Sequence, residues 1–463
     1  MLLNIVTKEN FEEAVQRYVY TRTKDLWSIL EEVYPKTQDR QYTIKEIMNS
    51  WLTLKHQPEL HILTDDDDDP IAKCAITPIF YPTEWKLPYI YFMPSNFSFY
   101  IKPKVTWVRR NDCFIPVPKP HQLFIVNLNQ SGYYRVKYPR NYWDEIVSYL
   151  KSDEFTRIPV LNRAQLINDA YYFMITYTYN ASFFMDLIKY LKQERDYIAW
   201  YPMFNIMFYM STVLKLSWAS HVRESFAEIL NSLLNAVGYQ PKLDDNSMTT
   251  PLILLARRWA CKLGVPACTN AATAELIHYM KTNSYKNDLN KISSMSKDWV
   301  LCSGLMAASI EVWLNFMKID VTYKNIEYLS CVENSTIIIH ILDLMLETNK
   351  FDKVIQPIGQ ICRYVIKKHV MKNPVLRYVI KNYDKLLERF PIDFRGGLLL
   401  SDMILNVYED DQLTSVESFA RNKYVRLKSE NDTLSLSFKM LLQTWRKYLG
   451  KVDYKFRNFL KSI

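Results

Sequence analysis

Glycine is scarce, with 8 in 463 residues. Phosphate loops and doubly wound nucleotide-binding folds need glycines at their tight turns, so the scarcity argues against both. HExxH, GxSxG and CxxC are all missing. The first absence removes a helical zinc-hydrolase signature, the second a serine elbow, and the third a common structural zinc pair. No apolar run approaches the roughly 20 residues of a membrane span. No basic run is interleaved with aromatics, so the net charge of +9 reads as scattered surface Lys and Arg rather than a nucleic-acid face. The run "TDDDDDP" (64–70) is a solvated loop, since adjacent carboxylates repel, and it lacks the spaced ligands of a calcium loop. "MLLNIVTKENF" has no basic n-region or cleavage site and reads as the middle of a helix rather than a signal peptide.

What is present is bulk. Apolar residues make up 49% and aromatics 14%, including 33 Tyr and 11 Trp, enough for a sizeable core. Residues 1–61 read as helices. Phe11, Val15, Tyr18 and Val19 have helical spacing behind Asn10 as N-cap, and Leu26, Ile29, Leu30 and Val33 follow. A third helix covers 43–54. Between 62 and 138 the pattern changes to short β-branched and aromatic runs broken by Pro and Asn, which suggests a small antiparallel β-sandwich. Residues 139–463 are helical. Expected helices include Trp143–Leu150, Arg163–Met174, Ala181–Leu191, Val222–Leu234, Ala272–Met280, Ser303–Met317, Ile337–Leu346, Val354–Lys368, Pro374–Arg389 and Leu434–Leu449. Their rhythm predicts a HEAT- or armadillo-like α-solenoid, so the fold class is mainly α.

Seven cysteines occur: Cys74, Cys113, Cys261, Cys268, Cys302, Cys331 and Cys362. In "CKLGVPAC" a helix and a tight turn can bring Cys261 and Cys268 within bridging distance; buried free thiols are the alternative. Five N-x-Ser/Thr sequons, at Asn96, Asn129, Asn180, Asn334 and Asn431, are glycosylation candidates. "HQPELH" (56–61) fails as a metal pair. Its histidines are five apart, and Pro58 opposes a helix interior. Spacing alone yields no catalytic or metal residue.

Two stretches carry a resemblance. "NQSGYYRVKYP" is similar to the N-Q-T-G-Y-Y-R-V-N-Y segment of the aminopeptidase N family of zinc aminopeptidases, and "NRAQLINDAYYF" resembles its D/N-R-A-x-L-I-N-D-A-F. "YLKQERDYIAWYP" (190–202), "ACKLGVPAC" (260–268), "VLCSGLMAASIEVW" (300–313) and "YLSCVENSTII" (328–338) look like further family segments. The resemblance implies a layout: 1–61 as the incomplete helical tail of a thermolysin-like catalytic domain, 62–138 as the β-sandwich, and 139–463 as the C-terminal helical domain. It also implies disulfides Cys261–Cys268 and Cys302–Cys331 and an extracellular or cell-surface setting.

The departures from the family set the expected function. The substrate-anchoring G-A-M-E-N segment, the HExxH pair, the distant glutamate ligand and the transition-state tyrosine are all missing. No catalytic residue and no zinc ligand therefore carries over, and no cofactor is expected in this chain, although intact relatives hold zinc. The chain reads as a region of an enzyme that removes N-terminal residues from peptides, inactive alone, its helical domain capping a cleft. A non-catalytic peptide- or protein-binding pseudo-peptidase is the alternative. Expected partners are peptides, the missing catalytic domain or a homologous full-length chain, and a second copy in a homodimer; nucleic acid is not. Tyr133, Tyr134, Arg135, Arg163, Asn168 and Asp169 form the domain-packing motif. Hydrogen bonds from the helix residues would set the first helix against the sandwich, direct substrate contact being the alternative. Without a catalytic domain to cover them, Phe11, Tyr18, Trp27 and Trp51 should form an exposed apolar patch.

Overall fold

The computed structural model describes residues 2–21, 25–34, 42–53, 57–63, 71–77, 87–89, 91–92, 106–108, 113–116, 123–176, 178–242, 245–282, 295–319, 326–347, 355–425 and 432–460. The aspartate run at 64–70 lies outside them, as do Asn96 and Asn431. The chain is mainly helical and divides into two compact units. One holds Met1–Tyr190 with Ile198–Met203; the other holds Leu191–Tyr197 with Phe204–Ile463.

The first unit opens with α1 (Leu2–Val6), α2 (Lys8–Thr21), α3 (Leu26–Val33) and α4 (Ile44–Thr53). Asp25 caps α3, its Oδ1 accepting from the Ser28 N–H at 3.0 Å. A capping box starts α4: Thr43 N–H donates to Glu46 Oε2 at 2.7 Å, and Glu46 N–H to Thr43 Oγ1 at 3.2 Å. Asn10 is not a cap. The α2 helix begins at Lys8 behind Thr7, whose φ of 67° turns the chain. Ile5, Val6, Ala14, Ile29, Leu30, Ile44, Ile47 and Met48 form a buried cluster. Phe11, Trp27 and Trp51 pack against it, so the expected exposed patch shrinks to Tyr18, beside Val19 and Tyr20. Short helices folding on one another supply the cover that a partner would otherwise provide.

Among the described residues eight strands follow: β1 (Glu59–Leu63), β2 (Ile71–Thr77), β3 (Leu87–Tyr89), β4 (Tyr91–Phe92), β5 (Thr106–Val108), β6 (Cys113–Pro116), β7 (Ile125–Val126) and β8 (Arg135–Lys137). Four make a sheet in the order β6-β2-β1-β8; β3 pairs with β5, and β4 with β7. The expectation of wholly antiparallel pairing fails at one edge, where β8 runs parallel to β1 with Leu60 opposite Val136. A parallel neighbour needs a long crossover, and the intervening strands supply it. Three helices complete the unit's main chain run: α5 (Arg140–Lys151), α6 (Val160–Ile175) and α7 (Ala181–Leu187). Fully buried Trp143 sits edge-on to Tyr138, Tyr179 and Phe183. Helix α8 (Tyr197–Tyr209) contributes residues to both units.

The second unit continues with α9 (Ser220–Val237), α10 (Thr249–Lys262), α11 (Pro266–Thr282), α12 (Gly304–Met306), α13 (Ile310–Ile319), α14 (Ser335–Glu347) and α15 (Ile355–His369). It ends with α16 (Asn373–Lys381), α17 (Tyr383–Arg389), α18 (Leu398–Leu405), α19 (Asp410–Ala420) and the long α20 (Asp432–Leu460). Sequence neighbours pack together, as in α9 with α10 and α10 with α11. Two expected helices are broken. Ser303–Met317 is interrupted after Met306, and Ser309 Oγ restarts α13 by accepting from Val312 N–H at 3.3 Å. Pro374–Arg389 breaks at Asn382, whose ψ of 16° leaves the helical region. Apolar periodicity runs through both breaks because one face stays buried on either side. Among the described residues, no helix is long and apolar enough to cross a membrane.

Candidate functional site

The segment VLNRAQLINDAYYFMI makes α6, a helix buried on nearly all sides, including its polar Asn162, Arg163, Gln165 and Asp169. Polar groups in such a place must find partners or cost about 1–3 kcal/mol each. Asn162, Gln165 and Asp169 stand at i, i+3 and i+7, one face of the helix. That face meets β8 and the turn before it. Asn162 Nδ2 donates to Asn127 O at 3.0 Å, and its Oδ1 accepts from Asn129 N–H at 2.7 Å. Gln165 Nε2 donates to Tyr134 O at 3.3 Å and to Asp169 Oδ2 at 3.2 Å. Asp169 Oδ2 accepts from Val136 N–H at 3.0 Å, and its Oδ1 pairs with the Arg135 guanidinium at 2.9 Å.

The network continues outward. Arg135 also donates to Asn168 Oδ1 at 3.2 Å and lies 4.3 Å above the Tyr172 ring. Tyr172 donates to Glu59 Oε1 at 2.6 Å, and Glu59 Oε2 meets His61 Nε2 at 2.9 Å. The turn is shaped by Asn127, Asn129 and Gln130, all with positive φ. Asn127 tolerates this because its side chain grips its own loop, accepting from Gly132 N–H at 2.7 Å and donating to Gly132 O at 2.9 Å. Burial raises the Asp169 carboxyl to about 6, with Arg135 pulling against it. Burial and the bond to Glu59 push the Tyr172 hydroxyl up to about 12. The arrangement is a latch between a β-edge and a helix: a bound carboxylate, a fixed guanidinium and oriented amides.

Of the six motif residues, Arg135, Asn168 and Asp169 meet directly. Tyr134 joins through its carbonyl, while its side chain is buried. Arg163 belongs elsewhere, donating to Ile158 O at 2.6 Å with its guanidinium over Phe155. Tyr133 points outward at 66% exposure, its ring edge-on to Trp51. Asn127, Asn162, Gln165, Glu59 and Tyr172 were not singled out from sequence. The usable signal was the polar i, i+3, i+7 stripe on an apolar helix.

In the helical unit Cys261 bonds Cys268, and Cys302 bonds Cys331. Gly264 makes the first bond's tight turn with φ 83°, which a side chain would strain. Cys74 of β2 is also disulfide-bonded, and register sets it opposite Cys113 of β6. Buried Cys362 is free, its thiol pushed up by burial. Of the described sequons, Asn129, Asn180 and Asn334 are exposed; the last two cap α7 and α14 by accepting from backbone N–H groups. His369 is buried, its Nε2 2.7 Å from Ser330 O, and burial lowers its pKa to about 4.

Zinc would need converging His, Cys, Asp or Glu donors. Among the described residues no three such groups come together. His61 meets Glu59 and the Phe173 ring, and His369 a backbone carbonyl.

Comparison with known proteins agrees with the fold. The pattern that defines the ERAP1-like C-terminal domain family matches residues 123–445. Human aminopeptidase N is 22% identical over 338 residues, 68% of this chain and 34% of that protein. Human glutamyl aminopeptidase is 22% identical over 449 residues, 90% of this chain and 44% of that protein. Aminopeptidase N of Plutella xylostella is 24% identical over 332 residues, 67% of this chain and 34% of that protein. The chain thus spans less than half the length of the curated relatives it matches.

Proposed function

We propose, for a chain that belongs to the ERAP1-like C-terminal domain family, that it serves as the C-terminal region of an aminopeptidase-like protein. The match over 123–445 carries this reading. In it, residues 62–138 are a β-sandwich and 139–463 an α-solenoid, joined through the Arg135–Asp169 latch. The helical domain caps the cleft of a zinc aminopeptidase that trims N-terminal residues, and it binds peptide or a partner. The partner is the catalytic domain, a homologous full-length chain or a second copy. Residues 1–61 are the tail of the catalytic domain. Alone, the chain lacks HExxH and turns over no substrate. It works in an oxidising compartment, outside or at the surface of the cell, a reading supported by the Cys261–Cys268 and Cys302–Cys331 disulfides.

The second reading is a stand-alone peptide- or protein-binding pseudo-peptidase, favoured by the exposed Phe208 and Tyr209 on α8. The test uses the purified chain with aminoacyl chromogenic amides, with and without added zinc. Binding to peptides of varied length is measured by calorimetry. No hydrolysis is expected in either case. Zinc-dependent release of N-terminal residues would sink the inactive reading. Failure to bind any peptide would remove the peptide role from both.

A further inference from the structure

The long helix α20 buries one face and leaves the other open. Phe438, Leu442 and Leu449, at i, i+4 and i+11, are buried. The helix packs on α18 and α19, and Trp445 Nε1 donates to Val407 O at 2.8 Å, which fixes its rotation. On the far side, Leu436, Met440, Thr444, Lys447 and Lys451 follow at i, i+4, i+8, i+11 and i+15, and all five are exposed. At the helical rise per residue this stripe runs for about 22 Å. Lys439 and Tyr448, also exposed, flank it on either side.

The charge on this face has one sign. Residues 436–451 hold four cations, Lys439, Arg446, Lys447 and Lys451, and no Asp or Glu. A carboxylate three or four residues away is the usual helical partner of an exposed cation, and none of the four has one within α20. Arg446 reaches across to Glu417 of α19 at 3.3 Å, a carboxylate shared with Arg421 at 2.6 Å. Among the described residues, Lys439, Lys447 and Lys451 have no carboxylate partner. Apolar groups stand between these charges. Leu436 is 58% exposed and Met440 59%, one turn apart. Tyr448 stacks on Trp445 with ring centroids 5.1 Å apart. A single exposed Leu needs no cause. Two large apolar side chains in line with unpaired cations make a face suited to charge and hydrocarbon together.

We propose that this face of α20 lies flat on an anionic lipid bilayer. Lys439, Lys447 and Lys451 meet headgroup anions. Leu436 and Met440 enter the boundary of the acyl chains, and Tyr448 sits at headgroup depth, where amphipathic rings collect. Charge complementarity selects an anionic surface, and the exposed apolar pair selects lipid among such surfaces. A sulfated polysaccharide offers the anions but nothing for Leu436 and Met440. The contact is peripheral, since among the described residues no helix is long and apolar enough to cross a membrane. It does not depend on peptide binding.

The test sediments the full chain with vesicles of phosphatidylcholine, alone or mixed with phosphatidylserine, and measures retention on heparin beads in parallel. Binding to the mixed vesicles should be at least about tenfold tighter than to the neutral ones and should weaken as salt rises. The variant Lys439→Gln/Lys447→Gln/Lys451→Gln should lose at least about tenfold of that binding. Leu436→Ser/Met440→Ser should lose about fivefold on vesicles and keep its heparin retention. All five positions are exposed, and circular dichroism checks that both variants fold. In the unmodified chain, the mixed vesicles should slow reductive methylation of Lys447 and Lys451 relative to other lysines, a readout that needs no variant. Equal binding to the two kinds of vesicle, or binding to neither, would overturn the proposal. Binding without protection of those lysines would move the contact to another face and overturn it as well. Loss in the lysine variant with none in the apolar variant would replace the bilayer with a soluble polyanion.

Discussion

Two junctions, one in each unit, solve one problem by different chemistry. At the β8–α6 junction of the first, directional bonds to a buried carboxylate hold a strand edge against a helix. At the hairpins of the second, the covalent bonds Cys261–Cys268 and Cys302–Cys331 tie helical segments together, whereas a cation over a ring serves both units: Arg135 over Tyr172 in the first, and in the second Arg257 4.4 Å above Trp299, its guanidinium lowered to about 10 by burial. A polar network acts on the folded state: remove one member and the rest are left buried and unsatisfied. A disulfide acts largely on the unfolded chain by shortening its reach.

The largest expected effect follows from breaking the network. Asp169→Ala strands Arg135 and the Val136 N–H, and should cost about 3–5 kcal/mol. Urea unfolding would measure it, and a loss under about 1 kcal/mol would mean that water replaces the carboxylate cheaply. Next comes the Cys302→Ser/Cys331→Ser pair, whose loop spans 29 residues and should cost about 3.5 kcal/mol by chain entropy. Here amide exchange in α15 should keep its native pattern at low denaturant; a changed pattern would show that the bond shapes the folded state and blur the contrast.

The smallest effect is the most diagnostic, because the units should respond oppositely to acid. The folded-state value of Asp169 is raised from 3.8 to about 6, first by burial. Its contribution is therefore complete below about 3.8 and is lost as pH rises through about 6. His369 is lowered from 6.5 to about 4, again first by burial, so its contribution is present above 6.5 and is lost as pH falls through about 4. Exchange protection, corrected for intrinsic rates, should fall with rising pH in α6 and with falling pH in α15. Parallel trends would end the comparison, and Asp169→Asn should flatten the first trend alone.

Much of the helical architecture was legible because apolar spacing reports a buried face: α5, α9, α14 and α15 lie where that spacing puts them. The breaks at Ala307–Ser309 and Asn382 were not, since a buried face runs on through a short interruption. The parallel β1–β8 pairing was also hidden. Strand propensity says that a segment is extended, not which neighbour it finds. At the latch, Arg135 and Asp169 stood out through a motif, whereas Glu59 and Tyr172 did not, because their contact is set by the sheet's topology.

Time enters through one bond described above. Tyr172 reaches Glu59 across 113 residues, and β1 waits for β8 to complete its edge. A ribosome adds about 5–20 residues per second, so on the order of 5–20 s separates the appearance of Glu59 from that of its partner. Through that interval β1 has an open hydrogen-bonding edge and Glu59 lacks the hydroxyl that will hold it. The helical hairpins made later close over far shorter spans. Until its partner arrives, that nascent strand edge is a place for a chaperone to act.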